Sequence, residues 1–432
     1  MSELPRTLND WLDYQMRVHP NAIELGLDRV REVWRRLGAP APAPVVITVG
    51  GTNGKGSTVA FLEAMLEAGG QRVGAFTSPH LLRYNERVRV AGHDADDETL
   101  VAAFARIEEA RGDIPLTYFE YGTLAALWIF AHGHLDVAVL EVGLGGRLDA
   151  VNLIDAHAAV VTTIDLDHQD WLGDDRDSIG REKAGIFRSG RPAIVGDPES
   201  PDGLLAEARR IGADLRIAGR DFAFERDVSG WRWRSGDTVI VLPMPQLAAP
   251  CQLANASAAI AVLHALRPQV EWNPQAIARG VAQARVGARL QRFAGTPEIV
   301  VDVAHNPQAA RALAEWLRVE PAPGRTLAVF GALGDKDVHG VAAALAGSID
   351  AWFLAGLEHD SPRGLAAADL RSAIGDAFHA ETPWSAHADV AKALAQACAE
   401  ARAGDRVLAF GSFFVAAPAL RFAASRIARR VG

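Results

Sequence analysis

At 432 residues, about half of them apolar, the chain exceeds one ordinary core and predicts two domains. A formal net charge of −9 excludes the basic footprint of a general nucleic-acid binder, yet leaves room for anionic substrates, because a site focuses local charge whatever the total. The two cysteines, Cys251 and Cys398, lack metal or redox spacing and predict buried thiols in a reducing compartment; with no apolar leader and no membrane-spanning run, the expected location is the cytoplasm, without a membrane partner.

Residues 7–37 predict helices, with Thr7 or Asn9 as cap and Trp11, Leu12 and Met16 on the buried face. An Ala-Pro repeat at 39–44 forms a stiff connector into Val45–Thr58, where a buried β-type run enters a glycine-dense turn and then a helical pattern. Strand, glycine loop and helix N-terminus together hold a phosphate chain. Inward-turned backbone N–H groups and the helix dipole supply positive potential, and Lys55 adds a mobile full charge. The hydroxyls of Ser57 and Thr58 stand where a Mg²⁺ ligand is usually found, although Gly56 separates them from Lys55, unlike the Walker pattern. We read a nucleoside triphosphate site, against a plain glycine turn.

Val73–Thr77 predicts a second strand ending in Ser78-Pro79-His80, followed by helices at 97–111 and 120–132. Strands at Val137–Leu140, Ala158–Ile164 and Pro192–Val195 complete a mostly parallel, doubly wound sheet, whose ligands collect beyond the carboxyl ends of the strands. From 215 to 245 short alternating strands, with Phe222, Phe224, Trp231 and Trp233 at period two, predict a small antiparallel insert turning at Ser229-Gly230 and Ser235-Gly236-Asp237. Helices at 252–266 and 274–284 close a first domain, 1–286. A hinge at 287–297 leads to a second, Rossmann-like α/β domain at 298–432, with strands at Ile299–Val303, Thr326–Phe330, Trp352–Leu354 and Val407–Phe410. It carries no second phosphate loop and is expected to close over the nucleotide of the first.

Glu141 ends a buried strand beside a glycine loop, which suits a Mg²⁺ ligand facing the phosphate loop; a helix-capping acid in a turn is the alternative. His168 follows the next strand and is either a further ligand of that ion or an exposed loop histidine. Lys183 reads as a solvated helix lysine, or, given the apolar Ile186 and Phe187 beside it, as a partly buried amine of lowered pKa. In the second half, Asp302 is placed to bond a ribose and His305 to meet a substrate carboxylate. Asn306 is either part of that site or only a cap before Pro307, and Ser412 lies in another end-of-strand loop.

These fragments occur in register. Gly51-Thr-Asn-Gly-Lys-Gly-Ser57, Thr77-Ser-Pro-His80 with Asn85-Glu-Arg-Val-Arg89, and Thr117-Tyr-Phe-Glu-Tyr-Gly-Thr123 come first. Glu141-Val-Gly-Leu-Gly-Gly-Arg-Leu-Asp149, Leu166-Asp-His168, Gly180-Arg-Glu-Lys-Ala-Gly-Ile186, Asp302-Val-Ala-His-Asn306 and Gly411-Ser-Phe413 follow. Over nearly its whole length the chain resembles the bifunctional dihydrofolate synthase/folylpolyglutamate synthase family, relatives of the muramyl peptide ligases. The resemblance implies an ATP-dependent amide ligase: ATP phosphorylates a substrate carboxylate, and the amine of L-glutamate attacks the acyl phosphate. One activity acts on 7,8-dihydropteroate, the other on the γ-linked glutamate tail of reduced folates.

By that resemblance Thr52, Asn53, Gly54, Lys55, Gly56 and Ser57 hold the phosphates. Ser57, Ser78, Glu141 and His168 ligate Mg²⁺, and Lys183 is an N6-carboxylysine that helps to support a second Mg²⁺. Thr117, Tyr118, Phe119 and Glu120 cradle the pterin-bearing substrate, with Leu148, Asp149 and Ala150 nearby. Asn255, Arg289 and Asp302 match ATP contacts, while His305 and Ser412 lie near the incoming glutamate; a monomer is expected. A muramyl-type ligase would carry a UDP-binding domain of about a hundred residues ahead of its phosphate loop, where this chain has 50 residues before Gly51. A monofunctional polyglutamate synthase is a nearer rival, and a non-catalytic nucleotide-gated binder would be expected to lack Glu141, His168 or Lys183.

Overall fold

Short aliphatic runs alternating with helices fold into two compact units, one comprising Met1–Gln246 with Leu253–Arg285, the other Leu247–Gln252 with Val286–Gly432. The computed structural model describes residues 5–431 apart from 20, 22, 228, 229, 268 and 378–380, with side chains to residue 426. Among them no helix is long and apolar enough to cross a membrane.

The first unit is built on β1 (Val45–Gly50), β2 (Val73–Phe76), β3 (Val88–Val90), β4 (His93–Asp94), β5 (Val137–Glu141), β6 (Ala158–Val161), β7 (Pro192–Val195) and β8 (Asp214–Ile217). They form one sheet in the order β4-β3-β2-β5-β1-β6-β7-β8, parallel except for β3 and β4. β1 and β5 are buried at every position, as a strand covered by helices on both faces must be. The register decides what meets at the rim. Val49 pairs with Glu141 on one side and Val160 on the other, and Phe76 pairs with Leu140. The chain therefore leaves β1, β2, β5 and β6 at nearly one level, and four loops emerge side by side.

Several expectations need correction. The N-terminal stretch makes two helices, Leu8–Val18 and Asp28–Arg36, the first capped by Thr7. Trp11 is buried and Leu12 half-buried, but Met16 is exposed; Gln15, one turn beyond Trp11, takes the inward position. Residues 214–217, read as part of the insert, form the parallel edge strand β8. The insert itself is β9 (Ala223–Asp227), β10 (Gly230–Ser235) and β11 (Thr238–Leu242), with Trp231 and Trp233 fully buried and Gly236-Asp237 at the second turn; Gly230 opens β10, and Ser229 lies outside the described residues. Cys251 is exposed in the loop ahead of the helix Gln252–Ala265 and Cys398 is half-buried, so neither is the core thiol expected.

The second unit carries β12 (Gln291–Phe293), β13 (Glu298–Val301), β14 (Thr326–Phe330), β15 (Ala351–Ala355), β16 (Trp384–His387) and β17 (Arg406–Phe410), in the order β12-β13-β17-β14-β15-β16. All pairs are parallel except β12 with β13. The segment expected to be a hinge thus contributes a strand to this sheet. Its Gln-Arg-Phe sequence is too short and polar to signal one.

Candidate active site

The phosphate loop follows β1 and is strapped to the exit of β6. Thr52 N donates to Thr163 O at 2.7 Å, Asn53 N to Thr163 Oγ1 at 3.1 Å, and the Thr162 hydroxyl to Asn53 O at 2.5 Å. Gly54, at φ 86°, precedes the helix Lys55–Ala68 in a conformation that L side chains avoid. A side chain there would also begin 2.4 Å from Asn255 Oδ1, so buried Asn255 lies directly against the loop. Lys55 arches back over the loop, donating to Gly51 O at 3.0 Å and Thr52 O at 3.1 Å, while Ser57 is buried in the first helical turn.

Glu141, at the end of β5, is buried and accepts from Ser78 N at 3.1 Å. A side chain at Gly56 would start 3.6 Å from its Oε2, so the carboxylate stands beside the extra glycine that separates this loop from the Walker pattern. Lys183, on the helix Arg176–Ala184, is only 4% exposed, which rules out the solvated reading. Its Nζ donates to Gly51 O at 3.0 Å, the same carbonyl that Lys55 uses. Burial and then the Lys55 charge push this amine down to about 7, against the pull of Asp167 and Asp149. Asp149, fully enclosed, is pushed up to about 6 by burial, opposed by the Leu144 and Val151 N–H groups that it accepts and by Lys55.

His168 adopts a left-handed backbone at the start of the short helix Gln169–Leu172 and is about a third exposed, its Nε2 3.9 Å from Asp167 Oδ1. Among the described residues no three His, Cys, Asp or Glu side chains gather as a cation cage. Glu141, Ser57 and Ser78 carry oxygen donors, the hard type that Mg²⁺ takes.

The expected substrate segment opens the helix Tyr118–His132. Thr117 and Glu120 form a reciprocal capping box there, and Glu120 also pairs with Arg29 at 3.0 Å, so both have structural duties. Tyr118 and Phe119 face other aromatics, Tyr84 at 5.8 Å and Phe76 at 6.0 Å between ring centres. Leu148 O accepts from Gly26 N at 3.2 Å, and Asp149 caps the 3₁₀ turn that Ala150 begins.

Within the second unit, β13 and β17 bring Asp302, His305 and Ser412 to one rim; Asp302 N donates to Ala409 O at 3.0 Å. Burial raises the Asp302 carboxyl, opposed first by half-buried Arg289 and then by the Leu290 and Ala304 N–H groups. His305 Nδ1 lies 2.9 Å from Val303 O. Asn306 is the cap of Pro307–Val319, and Ser412 Oγ accepts from Val415 N at the start of Phe413–Val431.

Sequence reading missed Thr162 and Thr163 as the residues that tie the loop down. Hydroxyls at a strand end give no periodic signal, and only the pairing of β1 with β6 brings them to the loop.

The Mur ligase middle domain profile matches residues 49–196, and the Mur ligase glutamate ligase domain profile matches residues 288–413. The dihydrofolate synthase/folylpolyglutamate synthase of Escherichia coli is 48% identical over 95% of this chain and 94% of its own; that of Haemophilus influenzae is 39% identical over 95% and 96%. The E. coli enzyme solved with DHPP and ADP superimposes with a TM-score of 0.92 at 46% identity, covering 99% of this chain and all of the other. The Yersinia pestis bifunctional enzyme, complexed with AMPPNP and Mn ion, gives 0.89 at 44% identity over 97% and 99%. With phosphate loop, strand-end carboxylate and buried lysine in one unit, and likeness of this extent across both, the chain belongs to the dihydrofolate synthase/folylpolyglutamate synthase family of Mur ligases.

Proposed function

We infer that the chain is an ATP-dependent acid–amino-acid ligase that joins L-glutamate to 7,8-dihydropteroate and extends the glutamate tail of reduced folates. The observation that carries this reading is the meeting of the phosphate loop, Glu141 and Lys183 at the level rim of one sheet. A carboxylate is a poor electrophile, and transfer of the γ-phosphoryl group gives it a leaving group. Catalysis is then positioning plus charge stabilisation.

Thr52 to Ser57 hold the phosphates, with Lys55 as the mobile charge on the transferred group. A divalent ion, when bound, would neutralise the triphosphate and the developing charge; the Yersinia relative is complexed with AMPPNP and Mn ion, and Mg²⁺ is the ion proposed here. Ser57, Ser78, Glu141 and His168 would hold it, with Lys183 supporting a second. For Lys183 that requires N6-carboxylation. A neutral amine attacks CO₂, forming the N–C bond and releasing one proton, and an amine whose pKa is near 7 is available for this at neutral pH. Thr117, Tyr118, Phe119 and Glu120 cradle the pterin-bearing substrate, with Leu148, Asp149 and Ala150 nearby. Asn255, Arg289 and Asp302 serve the nucleotide, and His305 and Ser412 the incoming glutamate.

Phosphate release with ATP and L-glutamate tests the reading. It is expected to depend on added dihydropteroate or tetrahydrofolate and not on a UDP-linked muramoyl peptide. Release indifferent to both pterin substrates would overturn the folate assignment.

A further inference from the structure

The loop after β5 and the C-terminal end of the helix Arg176–Ala184 meet with no side chain between them. Arg147 N donates to Glu182 O at 2.9 Å. A side chain at Gly146 would begin 2.9 Å from Glu182 O and 3.0 Å from Lys183 O, and one at Gly185 only 2.4 Å from Arg147 Cβ. Asn152, 6% exposed, lies across this joint. Its Nδ2 donates to Arg147 O and to Gly185 O, each at 3.0 Å, and its Oδ1 accepts from Arg188 at 2.9 Å. A nitrogen facing two carbonyls and an oxygen facing a guanidinium fix the amide's orientation. Removing the amide cuts both bridging bonds at once.

Each side of the joint leads to a different ligand. On one side Arg147 runs directly into Leu148, Asp149 and Ala150, assigned above to the pterin-bearing substrate, and Asn152 N donates to Asp149 O at 2.9 Å. On the other side Lys183 stands just before Gly185, and its Nζ holds Gly51 O at the entrance to the phosphate loop. A contiguous path thus joins the substrate loop to the phosphate loop. Contiguity becomes coupling only where both ligands favour the same arrangement of that path. We propose that Asn152 enforces this, as a positioning residue through which pterin-bearing substrate and nucleotide each raise the affinity for the other. The proposal rests on the folate reading above.

The test uses the full chain in Mg²⁺ buffer, titrated calorimetrically with ADP, first alone and then saturated with 7,8-dihydropteroate. In wild type, dihydropteroate is expected to tighten ADP binding about fivefold or more. By linkage, ADP must tighten dihydropteroate binding by the same factor, which checks the measurement. In Asn152→Ala that factor is expected to fall to about one. It is a ratio taken within each variant, so a general loosening of either site cancels. A wild-type factor of about one, or a variant that keeps the wild-type factor, overturns the proposal, and Asn152 then only braces the joint. Should the alanine variant not fold, Asn152→Asp, which keeps the contact with Arg188 and loses both Nδ2 donors, is read the same way. Wild-type protein that binds ADP but neither dihydropteroate nor tetrahydrofolate, with or without the nucleotide, would instead overturn the folate reading.

Discussion

Lys183 shows how much one burial decides. Its helix segment, Arg176–Ala184, is polar on paper, and only the apolar Ile186 and Phe187 just beyond it hint that this lysine differs from its solvated neighbours. Docked on the phosphate loop, it loses its water and faces Lys55, so the folded protein holds it near 7 against its usual 10.5. Between those values the unfolded chain binds a proton that the folded chain has released, so this group makes stability rise with pH from about 7 upward. In CO₂-free buffer the melting temperature of wild type should therefore gain with pH across that window relative to Lys183→Met, and parallel curves would contradict the burial. The alanine variant should lose turnover while nucleotide affinity changes little, measured by steady-state kinetics beside nucleotide titration. Lys55 and Glu141 were legible from the sequence because a glycine loop and a strand end are local features. The environment of Lys183 was legible only as one of two readings, the apolar Ile186 and Phe187 allowing partial burial, because the outcome depends on which way a helix faces across more than a hundred residues.

Between elements, the decisive contact is the seat of the phosphate-loop helix. Lys55–Ala68 lies against Pro274–Gln283, and a side chain at Gly280 would begin 2.4 Å from Met65 Cα and 2.5 Å from Met65 N, backbone atoms with nowhere to go. Gly280→Ala should cost about 1–3 kcal/mol or more in urea unfolding, and an unchanged midpoint would show that the helices do not press together at this point. Both helices could be read from their periodicity, and so could the alternation that makes the sheet parallel. Their mutual approach could not, since a glycine inside a helical pattern has many causes. The edge strands failed for a related reason. β8 is half-covered and alternates like a hairpin strand, β12 is three residues long, and Met16 misses the buried stripe that Trp11 and Gln15 define.

At the scale of the whole chain, two α/β units were legible because each repeats a strand–helix alternation, and the strand ends marked where chemistry would gather. The register supplied what the alternation lacked, setting the ends of β1, β2, β5 and β6 level so that Lys55, Ser78 and Glu141 share one rim. The central claim is that this rim passes a phosphoryl group to a substrate carboxylate before glutamate attacks. Dihydropteroate labelled with ¹⁸O in its carboxylate tests it most directly, by mass analysis of the phosphate released with ATP and L-glutamate. One labelled oxygen per phosphate is the predicted result, because the acyl–oxygen bond breaks as the amide forms; phosphate free of label, alongside normal amide product, would contradict it.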